Sequence, residues 1–169
     1  MKQNYGIDVN FFNDKLRLTF DYFVEKRKDI LINRSTIPIY TSLSSSILPV
    51  VNMGKVDNKG YEISLKWNDR VKNFSYWLDA NMSYAKNKII YQDEVEPNEP
   101  YMWRTGQSVG SIFGYVTDRF YTEEDFDEKG ELVAGLPKPA GIVHPGDLKY
   151  KDLNGDNIIN SDDVCKIGN

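Results

Sequence analysis

The sequence predicts an all-β fold in which antiparallel β-hairpins form part of a transmembrane outer-membrane β-barrel with long extracellular loops. Three observations predict it. Apolar and polar residues alternate along segments of about ten residues, the length at which a tilted strand crosses a bilayer. Aromatic residues make up 13 % of the chain, which favours pleated, half-buried surfaces. The connections alternate between short and long, as they do when short turns face the periplasm and long loops face outside. A water-soluble antiparallel sandwich would show the same two-faced strands, so that alternative stays open at this stage.

The first predicted hairpin lies near the amino terminus. Apolar residues recur at every second position on both sides of a turn signal at Asn13-Asp14. They are Tyr5, Ile7, Val9 and Phe11 before the turn, and Leu16, Leu18, Phe20, Tyr22 and Val24 after it.

A second hairpin on the same plan follows a long loop, predicted over residues 25–58, that contains Pro38, Ser42–Ser46 and Pro49. A short polar turn is predicted over residues 68–73. The alternating apolar residues are Tyr61, Ile63, Leu65 and Trp67 before the turn, and Phe74, Tyr76, Leu78, Ala80, Met82 and Tyr84 after it. Residues 1–91 are therefore expected to form two hairpins of a partial barrel wall. In a barrel the polar faces, with Asp21, Glu62, Lys66 and Asp79, would point into the lumen.

Residues 92–150 are predicted to form an extracellular loop with short strands. Within it the stretch WRTGQSVGSIFGYVTDRFY predicts a bulged strand or a closely packed loop, since glycine interrupts its aromatic residues. An acidic run at 123–128 is interpreted as a solvated loop, because nothing nearby supplies the low-dielectric setting that separates the pKa values of catalytic carboxylates.

Residues 151–169 are predicted to be a calcium-like acidic loop and a truncated carboxyl terminus. Oxygen-bearing groups recur there at positions 1, 3, 5, 7, 9 and 12 of a twelve-residue loop, the arrangement that Ca²⁺ favours. The candidate metal ligands are Asp152, Asn154, Asp156, the carbonyl of Ile158, Asn160 and Asp163. Asn157 stands where the tight turn prefers glycine, but asparagine tolerates a left-handed backbone. The alternative is an Asx-rich turn that its own side-chain to backbone hydrogen bonds hold together without an ion.

Composition and charge exclude several classes of function. The formal net charge of −4 and the scattered basic residues provide no footprint for nucleic acid. His144 and Cys165 are each the sole residue of their type, which argues against a histidine-based zinc site, a Ser-His-Asp triad and an internal disulfide. No paired-carboxylate site or nucleophile with a base can be located, so we expect no enzyme activity. There is no run of 18 apolar residues and no apolar signal core after Met1.

Five motifs in order resemble the C-terminal region of SusC/RagA-type TonB-dependent receptors, and together they cover nearly the whole chain. They are NYGIDVNFFNDKLRLTFDYFVEKRKDILI, NMGKVDNKGYEISLKW, FSYWLDANMSYAKNKI, GQSVGSIFGYVTDRFY and HPGDLKYKDLNGDNIINSDD. The resemblance implies a barrel in the outer membrane of a Gram-negative bacterium, in contact with outer-membrane lipid. It also implies import of oligosaccharides or peptides, energised by TonB through a plug region, beneath a SusD-like surface lipoprotein that closes the barrel as a lid.

Compared with that family pattern, the sequence has no signal peptide, TonB-contacting segment or plug domain and lacks most barrel strands, so we expect it to be a fragment. The family has glycine where this chain has Asn157. The competing hypothesis is a secreted calcium-binding, dockerin-like interaction module. It is weakened because dockerins carry two such loops on helices, whereas a single loop here follows predicted strands.

Overall fold

The computed structural model describes residues 1–36 and 49–169 and divides the chain into two compact units. Residues 1–94 and 105–109 form one of them, named here the sheet unit. Residues 95–104 and 110–169 form the other, the loop unit.

The sheet unit contains a four-stranded antiparallel sheet whose strands follow one another in chain order. The strands are β1 (Lys2–Phe11), β2 (Leu16–Ile32), β3 (Val51–Val71) and β4 (Phe74–Tyr91). Because side chains alternate between the faces and the register is antiparallel, one face collects the aromatic and aliphatic residues and the other the polar ones. In the described part of this unit no apolar side chain is buried, so the aromatic face has no second layer packed on it.

The two short turns that join the strands contain residues with a left-handed backbone conformation. The first turn spans residues 12–15, and Phe12, Asn13 and Asp14 all have positive φ there. This confirms the turn predicted at Asn13-Asp14. The second turn is only residues 72–73, with Lys72 at φ 54°. The turn predicted over 68–73 was therefore too long, because its polar residues pair with the start of β4 and extend β3.

The loop predicted over residues 25–58 was also too long at both ends. β2 continues to Ile32 and β3 begins at Val51, so residues 25–32 and 51–58 belong to strands. The prediction failed because charged residues interrupt the apolar alternation after Glu25 although the backbone pairing continues. A register shift between Arg27 and Ile30, with Asp29 at φ 56°, bends this extension. Pro38 and Ser42–Ser46, on which the loop prediction partly rested, lie outside the described residues.

Gly60 is the point of closest backbone approach in the sheet. It pairs with Phe23 on one side and Ala85 on the other. A Cβ at this position would lie 2.3 Å from the carbonyl oxygen of Tyr84 and 2.7 Å from the Phe23 ring. The Phe23 ring therefore lies over the backbone of Gly60, which has no side chain to exclude it.

The loop unit consists of short strands and turns. β5 (Ile112–Tyr115) pairs with β8 (Val164–Gly168), and β6 (Thr117–Phe120) pairs with β7 (Leu148–Tyr150). Single 3₁₀ turns lie at Pro100–Met102, Glu123–Asp125 and Ser161–Asp163. The buried apolar residues are Tyr121 and Ile159, which are 3 % and 5 % exposed.

The pairing within the loop unit joins segments that are distant in sequence. The stretch 92–150 and the stretch 151–169, which the sequence separated, are linked by the β5–β8 pairing. The glycine-interrupted aromatic segment contributes both β5 and β6. Over the described ranges, no helix has the length and apolar character needed to cross a membrane.

Candidate functional site

The aromatic face of the sheet carries a row of four tyrosines at one level. In the register Tyr5 lies opposite Tyr22, Tyr22 opposite Tyr61, and Tyr61 opposite Tyr84. The rings of Tyr61 and Tyr84 stack with centroids 5.6 Å apart. Tyr5 is 59 % exposed and Tyr84 is 52 % exposed. We name these four residues the tyrosine row.

A second aromatic cluster lies on the same sheet close to the short turns. Phe12 contacts both Phe11 and Trp67, and Phe74 stacks with Tyr76. At about 3.3 Å per residue, the tyrosine row and Trp67 are separated by about 20 Å along β3. Between them lie two further rows of apolar side chains, at the levels of Ile63 and Leu65. With a strand tilt of about 40°, the separation of about 20 Å becomes about 15 Å along the membrane normal. Two aromatic belts that bound an apolar band are typical of a barrel wall in a membrane.

The opposite face is polar and carries the four side chains expected to face a lumen. Asp21 lies opposite Glu62, and Lys66 lies opposite Asp79. All four alternate with residues of the aromatic face. The Thr19 hydroxyl donates a hydrogen bond to Asp8 at 2.6 Å. A cavity of about 360 Å³ lies on the sheet, and most of its lining residues belong to the polar face. They include Thr19, Asp21, Glu62, Ser64, Asn81 and Ser83. The arrangement can form hydrogen bonds with a passing polar solute.

The acidic loop at 152–163 is closed by its own side chains. The carboxylate of Asp152 accepts hydrogen bonds from the backbone of Gly155 at 2.7 Å and Asn157 at 2.8 Å. The carboxylate of Asp163 is fully buried and accepts from the backbone of Leu153 at 2.7 Å and Asn160 at 2.9 Å. These are the bonds of an Asx-rich turn.

The side chains of the other predicted ligands in this loop, Asn154, Asp156 and Asn160, are also hydrogen-bonded. Asp156 accepts from the backbone of Ile158 at 2.7 Å, and the Asn154 amide donates to Asp156 at 3.1 Å. The amide oxygen of Asn160 accepts from the backbone of Asp162 at 2.6 Å.

Two observations bear on whether Ca²⁺ fits this loop. Asn157 adopts φ 63°, so the left-handed backbone expected at the sixth position is present. Each carboxylate oxygen in a hydrogen bond also retains a lone pair that could face a cation. Within residues 1–36 and 49–169, however, no three His, Cys, Asp or Glu side chains are grouped as metal ligands would be. The calcium site therefore stays a prediction, while the hydrogen bonds by themselves account for the shape of the loop.

The acidic loop is tied to a segment about 60 residues earlier in the chain. The Tyr101 hydroxyl donates to the carbonyl of Asp162 at 2.6 Å, and the Asn98 amide donates to the Asp162 carboxylate at 3.0 Å. Burial is the largest cause that raises the pKa of Tyr101, and the charge of Glu99 adds to it. The sequence contained no signal for this long-range contact.

Asp125 was wrongly grouped with the solvated acidic run. It is 6 % exposed, and its two oxygens pair with the two terminal nitrogens of Arg119. It also accepts from the backbone of Thr122 at 2.8 Å and closes a capping box. Hydrogen bonding from Arg119 is the largest cause that holds the pKa of Asp125 well below its ordinary value. The spacing Thr122-x-x-Asp125 is a signal that could have identified the cap.

Asp93 is a second structural carboxylate that the sequence did not reveal. It is 8 % exposed and accepts hydrogen bonds from the Thr36 hydroxyl and from the backbone of Ser35 at 2.7 Å and Thr36 at 3.2 Å. Hydrogen bonding from the Thr36 hydroxyl is the largest of the causes that lower the pKa of Asp93. Asp93 thereby holds the connection that follows β2 against the end of β4.

Comparisons with known proteins agree with this geometry. Residues 3–161 match the family described as TonB dependent receptor-like, beta-barrel. TonB-dependent receptor P3 of Formosa agariphila is 30 % identical over 96 % of this chain and 17 % of its own length. TonB-dependent receptor P39 of the same organism is 27 % identical over 99 % of this chain and 19 % of its own length. The chain thus spans less than a fifth of these relatives.

Solved structures show the same fold. The RagAB peptide importer in its open-open state matches with a TM-score of 0.64 and 18 % identity, over 99 % of this chain and 17 % of that chain. The closed-closed state matches with a TM-score of 0.59 and 19 % identity, over 98 % of this chain and 17 % of that chain. The predicted all-β barrel fold and the resemblance to SusC/RagA-type receptors are confirmed. With two aromatic belts on one face of its sheet and a family match over nearly its full length, this chain belongs to the TonB-dependent receptor-like β-barrel family.

Proposed function

We propose that this chain forms part of the wall and outward loops of an outer-membrane importer and carries out no catalysis. The observation that carries the proposal is the aromatic face of the sheet, where the tyrosine row and the cluster at the short turns bound an apolar band. Lipid would cover this face, since in the described part of the sheet unit no protein layer does.

The polar face supplies the second part of the proposal. Strands of a transport barrel alternate lipid-facing with lumen-facing residues, and here the lumen-facing set is rich in carboxylates, amides and hydroxyls. Such groups suit a hydrated solute, and we propose oligosaccharides or peptides as its class. The RagAB structures, which share the fold, are described as those of a peptide importer.

The proposed partners follow from the family. A SusD-like surface lipoprotein would close the barrel from outside, near the connections on the side of the long loops. TonB would supply energy through a plug region. The acidic loop would brace the outward segment, by its own hydrogen bonds or with Ca²⁺ held by Asp152, Asn154, Asp156, Ile158, Asn160 and Asp163.

A matched pair of substitutions tests the assignment of the two faces. Leu65 lies in the apolar band between the tyrosine row and Trp67 on the aromatic face, and Ser64 is its neighbour on the polar face. Leu65→Arg should destabilise the barrel by about 2–4 kcal/mol, the cost of arginine at the bilayer midplane, whereas Ser64→Arg should fold. Folding is measured as the outer-membrane band, detected with an antibody against residues 86–150, whose mobility shifts on heating.

The outcomes separate the proposal from its competitor. A heat-shifting outer-membrane band that Leu65→Arg removes and Ser64→Arg retains supports the proposal. A protein that is wholly soluble and monomeric without detergent contradicts it. A calcium-dependent rise in melting temperature for that soluble form would favour the dockerin-like module instead.

A further inference from the structure

Four lysines lie on the aromatic face of the sheet just beyond the tyrosine row, on the side away from the short turns. Two residues beyond Tyr61 and Tyr84 the register pairs Lys59 with Lys86. Two residues further along, Asp57 of β3 pairs with Lys26 of β2 on one side and with Lys88 of β4 on the other. Because side chains alternate strictly along paired strands, these residues share the face of the tyrosines. We name Lys26, Lys59, Lys86 and Lys88 the lysine patch.

The lysine patch is open and carries excess positive charge. All four lysines are exposed. In the described part of the chain, no carboxylate lies within 4.0 Å of any of the four ammonium groups to form an ion pair. The charge of Asp57, which lies among the lysines, offsets only one of the four positive charges. A cavity of about 360 Å³ lies at the patch. Its lining residues include Val24, Asp57, Lys59, Lys86, Lys88 and Ile90.

The first row of the patch lies at the height of a bilayer's headgroup layer, and the second row lies just beyond it. At about 3.3 Å per residue, its two rows lie about 7 and 13 Å beyond the tyrosine row along the strands. With a strand tilt of about 40°, these distances become about 5 and 10 Å along the membrane normal. The headgroup layer on each side of the hydrocarbon core is about 5–8 Å thick. Flexible lysine stems allow the ammonium groups to reach into that layer.

At the short turns, on the opposite rim of the sheet, Lys15 forms an ion pair with Asp69 at 2.7 Å. The lysine patch lies on the rim next to the long connections, which in an outer-membrane barrel is the rim facing outside.

We propose that the lysine patch is a binding site for the phosphate groups of the glycolipid that forms the outer leaflet. This inference rests on the proposed function, since only a sheet embedded in the outer membrane brings the patch to that headgroup layer. Ammonium groups above an apolar, aromatic band match a molecule with phosphates above acyl chains. Val24, which is level with Lys59, would contact the start of those chains, while Lys59, Lys86 and Lys88 would contact the phosphates.

The test uses the receptor purified in a neutral detergent, with diphosphoryl lipid A and its dephosphorylated form as probes. The variant Lys59→Gln with Lys86→Gln removes two charges from the patch. The matched control, Lys66→Gln with Lys129→Gln, removes two charges from the polar face and from a turn of the loop unit. The binding constant for each lipid is measured for all three proteins.

We expect wild type and control to bind the diphosphoryl lipid more tightly than the dephosphorylated one. The patch variant should bind the diphosphoryl lipid about ten- to thirtyfold more weakly, because each lysine near an anionic lipid surface contributes about 1 kcal/mol. Equal binding of the two lipids, or an equal loss in patch variant and control, would overturn the proposal. Displacement of the lipid by millimolar inorganic phosphate would overturn it in favour of a free-anion site.

A heat-induced mobility shift shows that each variant is folded before binding is compared, and Lys88→Gln alone serves as a milder second variant. Absence of any folded, outer-membrane form in wild type would contradict the proposed function itself. A folded receptor that is indifferent to lipid phosphate would contradict only the lysine patch.

Discussion

Gly60 provides the most demanding test of the strand register, because the structure leaves no room there for a single methyl group. In Gly60→Ala the new Cβ would lie 2.3 Å from the backbone oxygen of Tyr84, where Cβ contacts under 3.0 Å are essentially never seen. The neighbouring backbone must therefore shift by at least 0.7 Å, from 2.3 to 3.0 Å. The Phe23 ring, 2.7 Å from the same point, must move as well.

The free-energy cost of Gly60→Ala follows from the general cost of adding atoms to a packed site. Inserting a methyl group into a packed site costs about 1–3 kcal/mol, and a rigid backbone partner puts Gly60→Ala toward the upper end. Gly141→Ala is the matched control, since nothing lies within 4 Å of the Cβ that it adds. We expect the control to change the free energy of unfolding by less than about 0.5 kcal/mol.

The assay is urea unfolding of the receptor in detergent, followed by tryptophan fluorescence. A third variant, Gly60→Ala with Phe23→Ala, removes the ring but leaves the clash with the Tyr84 carbonyl. It should not recover the stability of wild type. Wild-type stability in Gly60→Ala would refute the pairing of Gly60 between Phe23 and Ala85, and with it the register that aligns the tyrosine row.

Three further predictions concern the carboxylates. The pKa of Asp93 is lowered in the folded state, so its contribution to stability is present above the ordinary carboxyl pKa and lost as the pH falls through the lowered value. The protection factor of the Thr36 amide, which corrects the exchange rate for the intrinsic effect of pH, should therefore fall over that acidic range, and Asp93→Asn should abolish this pH dependence. Asp125→Asn should speed proteolysis within 119–126 because it breaks the pair with the guanidinium, whereas Glu123→Gln in the same turn should not; equal cleavage of both variants would contradict the structural role of Asp125. Chelation of Ca²⁺ should leave proteolysis within 152–163 unchanged because hydrogen bonds hold that loop, and saturable terbium luminescence below 1 mM that Asp152→Asn removes would instead support the calcium site.

The sequence predicted the middle of the strands better than it predicted their ends. Both hairpins, the division into aromatic and polar faces and the placement of Glu62 and Lys66 on the polar face were predicted correctly, because alternation is a local property of the chain. The strand ends were not. Beyond the apolar band, residues 25–29 of β2 and 57–59 of β3 place polar side chains on both faces, so the pattern loses its contrast although the strands continue to Ile32 and from Val51.

In the candidate sites, local hydrogen bonding could be predicted from the sequence, whereas long-range contacts could not. The Asx-rich character of 152–163 was visible in the sequence, since Asn and Asp bond to backbone close by. The roles of Asp93 and Asp125 were hidden because burial and partners such as Thr36 and Arg119 are created only by folding.

The sequence by itself determined that the chain is built of two-faced strands, because apolar residues recur with a period of two. It also determined the resemblance to TonB-dependent receptors, because five motifs occur in the order typical of that family. Only the tertiary structure decided which residues share a level across the sheet. The pairing register brings four tyrosines into one row and four lysines directly beyond it, and register depends on turn length and on contacts between strands that no single strand encodes.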